Sequence, residues 1–254
     1  MLSFAIETAR ASGQLLLEKY GRITTITKKG DYNLVTEADL ASEALIIDRI
    51  RSHYPRHTIL AEESGQTALV DGDSKWKWIV DPLDGTTNFA HSYPCFCVTL
   101  ALEHENELVI GVTYDPTRNE LFTAERGQGA SLNFKPIHVS STSKLSESLI
   151  VTGLPYDFKE KSDFARHLHS FLLAARGVRR DGSAAIDLAY IACGRYDGMW
   201  EEGLNPWDIA AGVLMITEAG GRISNYDGTP LSIYKPPICV SNGLIHDEML
   251  AVLT

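Results

Sequence analysis

The stretch Trp78-Ile79-Val80-Asp81-Pro82-Leu83-Asp84-Gly85-Thr86-Thr87-Asn88-Phe89 constrains this chain more than any other. Its apolar opening, Trp78-Ile79-Val80, reads as a buried strand. Pro82 has no N–H to donate and is expected to end that strand at Asp81. Asp81 and Asp84 then stand close together across a tight turn that Gly85 is free to bend. Two carboxylates so placed repel unless one is protonated or a cation lies between them. The stretch holds no Lys, Arg or His, so a metal ion is the expected cation. Ligands that are all hard oxygens favour Mg²⁺ or Mn²⁺ over zinc. Gly85, Thr86, Thr87 and Asn88 are small and polar, with N–H groups and hydroxyls able to cradle a phosphate opposite that metal. The pattern points to chemistry on a phosphate ester.

The rest of the chain has the composition of a soluble globular protein. Its 254 residues, 44% hydrophobic and 22% charged, suffice for one large domain or two tightly joined halves. Glu7 and Arg10 interrupt the apolar N-terminus, which lacks the basic start of a secretory signal, and no apolar run is long enough for a bilayer. A cytoplasmic protein with no membrane partner is expected. Cys95, Cys97, Cys193 and Cys239 are too few and scattered for a disulfide framework and read as buried thiols. A net charge of −10 argues against direct nucleic-acid binding, which needs basic surface to displace counterions.

Taken in order, Leu2, Ile6, Ala9, Gly13, Leu16, Leu17 and Tyr20 recur at helical spacing and predict a helix over residues 3–20. A strand over 23–27 and an exposed basic loop tip over 28–31 follow. A second helix opens at Val35-Thr36-Glu37-Ala38-Asp39, with Leu40, Ala44, Ile47 and Ile50 expected on its buried side. Thr58-Ile59-Leu60-Ala61 reads as a short strand before Glu62-Glu63-Ser64-Gly65. Runs at 95–103, 108–114, 121–124 and 137–140, broken by turn residues at 105–106, 116–119 and 133–136, predict an antiparallel meander. The Ser- and Thr-rich stretch 136–148 marks the expected join between an α+β half, residues 1–142, and an α/β half, residues 143–254. In the second half a strand is expected at 149–153, helices around 164–172, 186–193 and 208–218, and Pro206 at a first helical position.

Two signatures in the expected order carry a family resemblance over essentially the whole chain. The stretch 78–89 resembles the first signature of the inositol monophosphatase family, Mg²⁺-dependent and lithium-sensitive phosphatases; Pro206-Trp207-Asp208-Ile209-Ala210-Ala211-Gly212 resembles the second. The resemblance implies a layered α/β sandwich of the inositol monophosphatase and fructose-1,6-bisphosphatase type, an α+β fold of alternating helix pairs and sheets. It implies that Glu62, Asp81 and the Leu83 carbonyl hold one Mg²⁺, and Asp81, Asp84 and Asp208 a second, with a third ion near Glu62 and Mn²⁺ able to substitute. Two such ions stabilise both the attacking water and the phosphate oxygens. It pairs Asp39 with Thr86 and gives these two residues and Glu62 the work of orienting and deprotonating the water, while amides at Gly85 and Thr86 hold phosphate oxygens. Asp84, Ser183, Ala184 and Glu201 match positions that line the site for the alcohol half of the substrate.

On spacing alone, Asp39 reads first as an acid against a helix dipole, Asp208 reads equally well as one or as a ligand, and Glu62 has the bland reading of a turn residue and Glu201 that of a loop acid beside Glu202. The function implied is hydrolysis of a small polyol or sugar phosphate by metal-activated water, with myo-inositol monophosphate first among candidates and a homodimer as the assembly. Fructose 1,6-bisphosphate, histidinol phosphate and a 3′-phosphoadenosine nucleotide are the other esters the same chemistry admits. A noncatalytic regulatory or RNA-associated binding protein is the reading of a different class; such a relative would be expected to lose at least one of the acids, and all are present.

Overall fold

A computed structural model describes residues 1–22, 26–28, 34–67, 75–154, 163–234 and 237–254. Most of the expected 23–27 strand and of the 28–31 loop tip lies outside these residues. In chain order the first half forms α1 (Leu2–Lys19), β1 (Ile26–Lys28), β2 (Leu34–Thr36), α2 (Glu37–His53), β3 (Thr58–Ala61), β4 (Gly65–Thr67), β5 (Trp76–Asp84) and α3 (Thr86–Ala90). The meander follows as β6 (Cys97–His104), β7 (Glu107–Asp115), β8 (Glu120–Glu125), β9 (Gly129–Leu132) and β10 (Lys135–Ile137). Then come β11 (Leu149–Thr152), α4 (Phe164–Ala174), β12 (Gly177–Arg179), α5 (Ala184–Ala192), β13 (Gly198–Glu201), α6 (Pro206–Glu218), β14 (Arg222–Ser224), β15 (Ile238–Ser241) and α7 (His246–Leu253).

These elements stack in alternating layers. An eight-stranded sheet, ordered β10-β9-β8-β7-β6-β5-β3-β4, carries α1 and α2 on one face and α5 and α6 on the other. A five-stranded sheet, β12-β11-β13-β15-β14, lies beyond α5 and α6 and is covered in turn by α4 and α7. The chain is thus the α+β layered sandwich of helix pairs and sheets expected from the sequence. Each interval between layers holds its own apolar core, and the alternation of β5 shows how one strand serves two of them. Trp78 and Val80 enter the core under α1 and α2, whereas Ile79 enters the core shared with α5 and α6. α1 comes so close to β7 that a methyl group on Gly13 would fall 2.6 Å from the Tyr114 ring.

The structure departs from the sequence expectations in three places. First, β5 does not stop at Asp81: it runs to Asp84 with Pro82 inside it, because the ladder to β6 slips between Asp81 and Asp84 and the missing N–H falls in that slip. Second, Leu40 is 56% exposed and Ala44 is exposed too; the buried stripe of α2 includes Asp39, Ser42 and Glu43 beside Ile46, Ile47 and Ile50. The hydrophobic period misplaced the inner face because polar side chains that bond to β5 and to the turn after β3 occupy it. Third, β9 and β10 form a hairpin that turns at Asn133 and Phe134, both at positive φ. Pairing resumes at Lys135 and passes through Pro136, which an edge strand tolerates.

Candidate metal and phosphate site

The bulge in β5 creates the site. Asp81 pairs with Thr99 and Asp84 with Cys97 on β6. Thr99 and Cys97 are two residues apart and therefore share a face, so their partners share it as well. In a regular strand, residues three apart would point to opposite sides; the extra residue of the bulge brings both aspartates to the side of α5 and α6. Leu83 is rotated the other way, its side chain fully buried in the core under α1 and α2, so it can contribute to the site through its carbonyl. Ser42 from α2 fastens the bulge by donating its hydroxyl to the Pro82 carbonyl at 2.7 Å.

Asp81, Asp84 and Asp208 each have one oxygen anchored by the protein. The Leu83 N–H donates to Asp81 Oδ1 at 2.9 Å, and the Asn205 N–H donates to Asp208 Oδ2 at 2.6 Å in the capping box that starts α6. Asp84 Oδ2 accepts from the Ser183 hydroxyl at 2.6 Å and the Ala185 N–H at 2.7 Å, so an acid from the first half of the chain caps α5 in the second. Asp39, wholly buried, accepts from Thr36 N–H and Thr36 Oγ1 at 2.8 and 2.6 Å through Oδ2, and from Thr86 Oγ1 at 2.9 Å through Oδ1. The Thr86 hydroxyl also lies 3.1 Å from the Leu83 carbonyl. Glu62 sits in the turn after β3, which Glu43 braces by accepting the Glu63 N–H at 2.8 Å.

The electrostatics are those of acids assembled without a counter-charge. Burial, and then the charges of Glu62, Asp84 and Asp208, push the Asp81 carboxyl well above the ordinary range. Asp208 is raised by burial, Asp84 and Glu62; Asp84 is raised by burial against the pull of its hydrogen bonds. Among the described residues no three His, Cys, Asp or Glu side chains close into a ready-made metal shell. The donor chemistry nonetheless fits a hard divalent cation: carboxylates and a carbonyl, oxygens throughout, with Asp81 feeling three other acids at once.

Beside Asp84 and Asp208 a cavity of about 60 Å³ is lined by Ser183, Ala184 and Glu201. The structure therefore gathers Asp84, Ser183, Ala184, Glu201 and Asp208 around one space, and couples Asp81 to Glu62, Asp84 and Asp208 through charge. Glu201 ends β13; burial, then Asp208 and Asp84, push its carboxyl up to about 8. Its carboxyl lies over Gly153, where a methyl group would fall 1.7 Å from Oε1. Arg180 and Asp187 line the same cavity and went unnoticed in the sequence, where neither lies in a signature. Asn88 differs from expectation: its side chain is buried and donates to the Cys95 and Asp181 carbonyls at 2.7 and 2.9 Å, tying the end of the first signature to the loop before α5.

Gly85 sits at φ +95°, and a Cβ there would meet the Cys95 carbonyl at 2.8 Å. Gly85→Ala is accordingly expected to cost about 1–3 kcal/mol of stability and to lower activity by displacing Thr86 from Asp39. Thermal denaturation beside phosphate release checks it, and a variant matching the parent in both would show that the turn relaxes without effect.

The comparisons with known proteins decide the family. The sequence profile described as the inositol monophosphatase family matches residues 1–254. The chain belongs to that family. Among inositol monophosphatase family relatives, a Synechocystis protein named inositol-1-monophosphatase is 47% identical, the match covering 99% of this chain and 88% of the relative. The Nus factor SuhB of Escherichia coli K12 is 42% identical over 99% of this chain and 94% of its own. Among solved structures, the inositol monophosphatase of Anabaena (Nostoc) superposes with a TM-score of 0.88 at 46% identity, covering 99% of this chain and 94% of that one.

Proposed function

We propose that this inositol monophosphatase family member is a Mg²⁺-dependent phosphomonoesterase acting on a small polyol or sugar phosphate, with myo-inositol monophosphate as the first substrate to test. The observation that carries the reading is the β5 bulge, which turns Asp81 and Asp84 to one face, where Asp81 feels the charges of Glu62 and Asp208, and Asp208 that of Asp84. The relative named inositol-1-monophosphatase supports the choice of substrate.

Glu62, Asp81, the Leu83 carbonyl, Asp84 and Asp208 would hold two or three Mg²⁺ ions, which when bound polarise the phosphate and lower the pKa of water. The chain's own groups do the rest. Asp39, held by both donors of Thr36, accepts the Thr86 hydroxyl proton, so that Thr86 Oγ1 turns a lone pair outward to receive a hydrogen bond from the attacking water. Glu62 is the second acceptor for that water. Amides at Gly85 and Thr86, where α3 begins, take phosphate oxygens. Asp84, through Ser183 and Ala185, holds the start of α5 against the phosphate-bearing turn. Ser183, Ala184 and Glu201 face the alcohol half, where the Glu201 carboxyl can exchange hydrogen bonds with its hydroxyls.

Release of phosphate from a panel of small phosphate esters, with and without Mg²⁺, tests the whole reading; no ester hydrolysed at any Mg²⁺ concentration would overturn it. Thr86→Val is expected to cost about 10²-fold in kcat with little change in Mg²⁺ affinity, because the hydroxyl is assigned to the water. Near-parental turnover would make the Thr86–Asp39 bond a structural one. The SuhB relatives, named Nus factors, support a second reading as a component of a transcription complex. With a net charge of −10, that association would run through protein contacts in preference to direct contact with nucleic acid.

A further inference from the structure

Asp187 belongs to no step described above, yet it is the most deeply buried acid of the cavity. It lies in the first turn of α5, is 1% exposed, and lines the same space as Glu201, which is 7% exposed. Capping does not account for it, because Asp84 takes the Ser183 and Ala185 donors at the start of α5. Asp187 Oδ1 and Glu201 Oε2 each lack a hydrogen-bond partner among the described residues. A buried acceptor left unpaired destabilises the fold, so two in one cavity call for an explanation outside the protein's own contacts.

The charges around Asp187 sharpen the point. Burial, then Asp181, Glu201 and Asp84, push its carboxyl well above the ordinary range, and Arg180 is the cation that opposes them. Arg180 opposes the upward shift of Glu201 as well, but its own side chain is exposed at the rim. The cavity is therefore rich in acceptors and short of donors. At about 60 Å³ it has room for a few waters or for the hydroxyl edge of a small ring. A second phosphate on the alcohol half would meet like charge there.

We infer that Asp187 is a specificity-determining residue that, with Glu201, receives hydroxyl donors from the alcohol half of the substrate. The inference rests on the phosphatase reading above and adds to it a residue that neither signature contains. Such a residue trades stability for recognition, and this sets its test apart from that of a structural acid.

The test compares the parent protein with Asp187→Asn in the presence of Mg²⁺, using myo-inositol 1-phosphate and para-nitrophenyl phosphate as probes. Asn keeps the shape, removes an acid that Asp181, Glu201 and Asp84 repel, and replaces one acceptor by an NH₂ donor, so that a substrate hydroxyl loses an acceptor. The ratio of kcat/KM for the polyol ester to that for the aryl ester is expected to fall about tenfold, mainly through KM, while Tm rises by about 2–4 °C. Asp187→Ala, which offers no donor, should lower the same ratio without the gain in Tm. A lower Tm for Asp187→Asn with equal losses on both esters would overturn the inference and make Asp187 structural, leaving the phosphatase reading intact. An unchanged ratio would overturn it too. A parent protein that hydrolyses neither ester would overturn the phosphatase reading and this inference together.

Discussion

Asp81→Asn is expected to lower turnover by about 10³-fold or more and to remove most of the Mg²⁺ binding measured by calorimetry, with the fold retained. The asparagine keeps Oδ1 as acceptor for the Leu83 N–H, the 2.9 Å bond that shapes the bulge, so the backbone path through Pro82 has no reason to change. What it removes is charge at the point where Glu62, Asp84 and Asp208 all act. For the same reason the metal-free variant should melt no lower than the metal-free parent: a buried carboxyl that its neighbours repel is replaced by a neutral group. Parental turnover with full Mg²⁺ occupancy would remove Asp81 from the site, and a lower metal-free Tm would show that its charge supports the fold.

Without Mg²⁺ the protein is expected to lose stability steadily as pH rises from 6.5 to 8.5, and Mg²⁺ to restore it. The Glu201 carboxyl titrates at about 8 in the folded chain against an ordinary 4.5. Below 4.5 it is protonated whether the chain is folded or not and contributes nothing. Above that the unfolded chain ionises while the folded one keeps its proton, so the folded state is penalised increasingly until the pH passes 8. From pH 6.5 to 8, Glu201 alone contributes a loss of about 2 kcal/mol, equivalent to roughly 4–8 °C in Tm. Asp81, Asp84 and Asp208, raised in the same direction, add to the loss wherever their folded forms still hold a proton.

The window starts at 6.5 because His246 acts with the opposite sign below it. Buried between the Ser224 and Ser241 hydroxyls, at 2.8 and 2.9 Å, it is pushed down to about 4, so its contribution is present above 6.5 and lost as pH falls towards 4. Thermal scans across the window, with and without Mg²⁺, should show a larger Mg²⁺-induced gain at pH 8.5 than at 6.5. A flat metal-free profile, or an equal gain at both ends, would mean that a cation does not relieve these acids.

Much of the architecture was legible because local chemistry and tertiary packing agree. The apolar period of α1, the runs of β6 to β8 rich in Val, Thr and aromatics between turn residues and the Pro206 start of α6 were each readable from neighbouring residues, and the two signatures singled out Asp81, Asp84 and Asp208. The inner face of α2 was not readable. Hydrophobicity selects Leu40 and Ala44, whereas the fold buries Ser42 and Glu43, whose partners are the Pro82 carbonyl and the Glu63 N–H far along the chain.

The sequence by itself determined which acids this protein possesses, their order, and the glycine and threonine that follow Asp84. Those are properties of a short stretch of chain, and a turn of that composition has few conformations open to it. Tertiary structure alone decided that the acids come together. A proline between two aspartates reads as the end of a strand, and only pairing with β6, Asp81 to Thr99 and Asp84 to Cys97, turns it into a bulge that sets both carboxylates on one face. Tertiary structure alone also made Asp187 a wall of the cavity, since nothing around it in sequence separates it from a solvated acid in the first turn of a helix. Burial, charge and an unpaired oxygen are imposed from β13 and the loop before α5, and such interactions leave no periodicity to read.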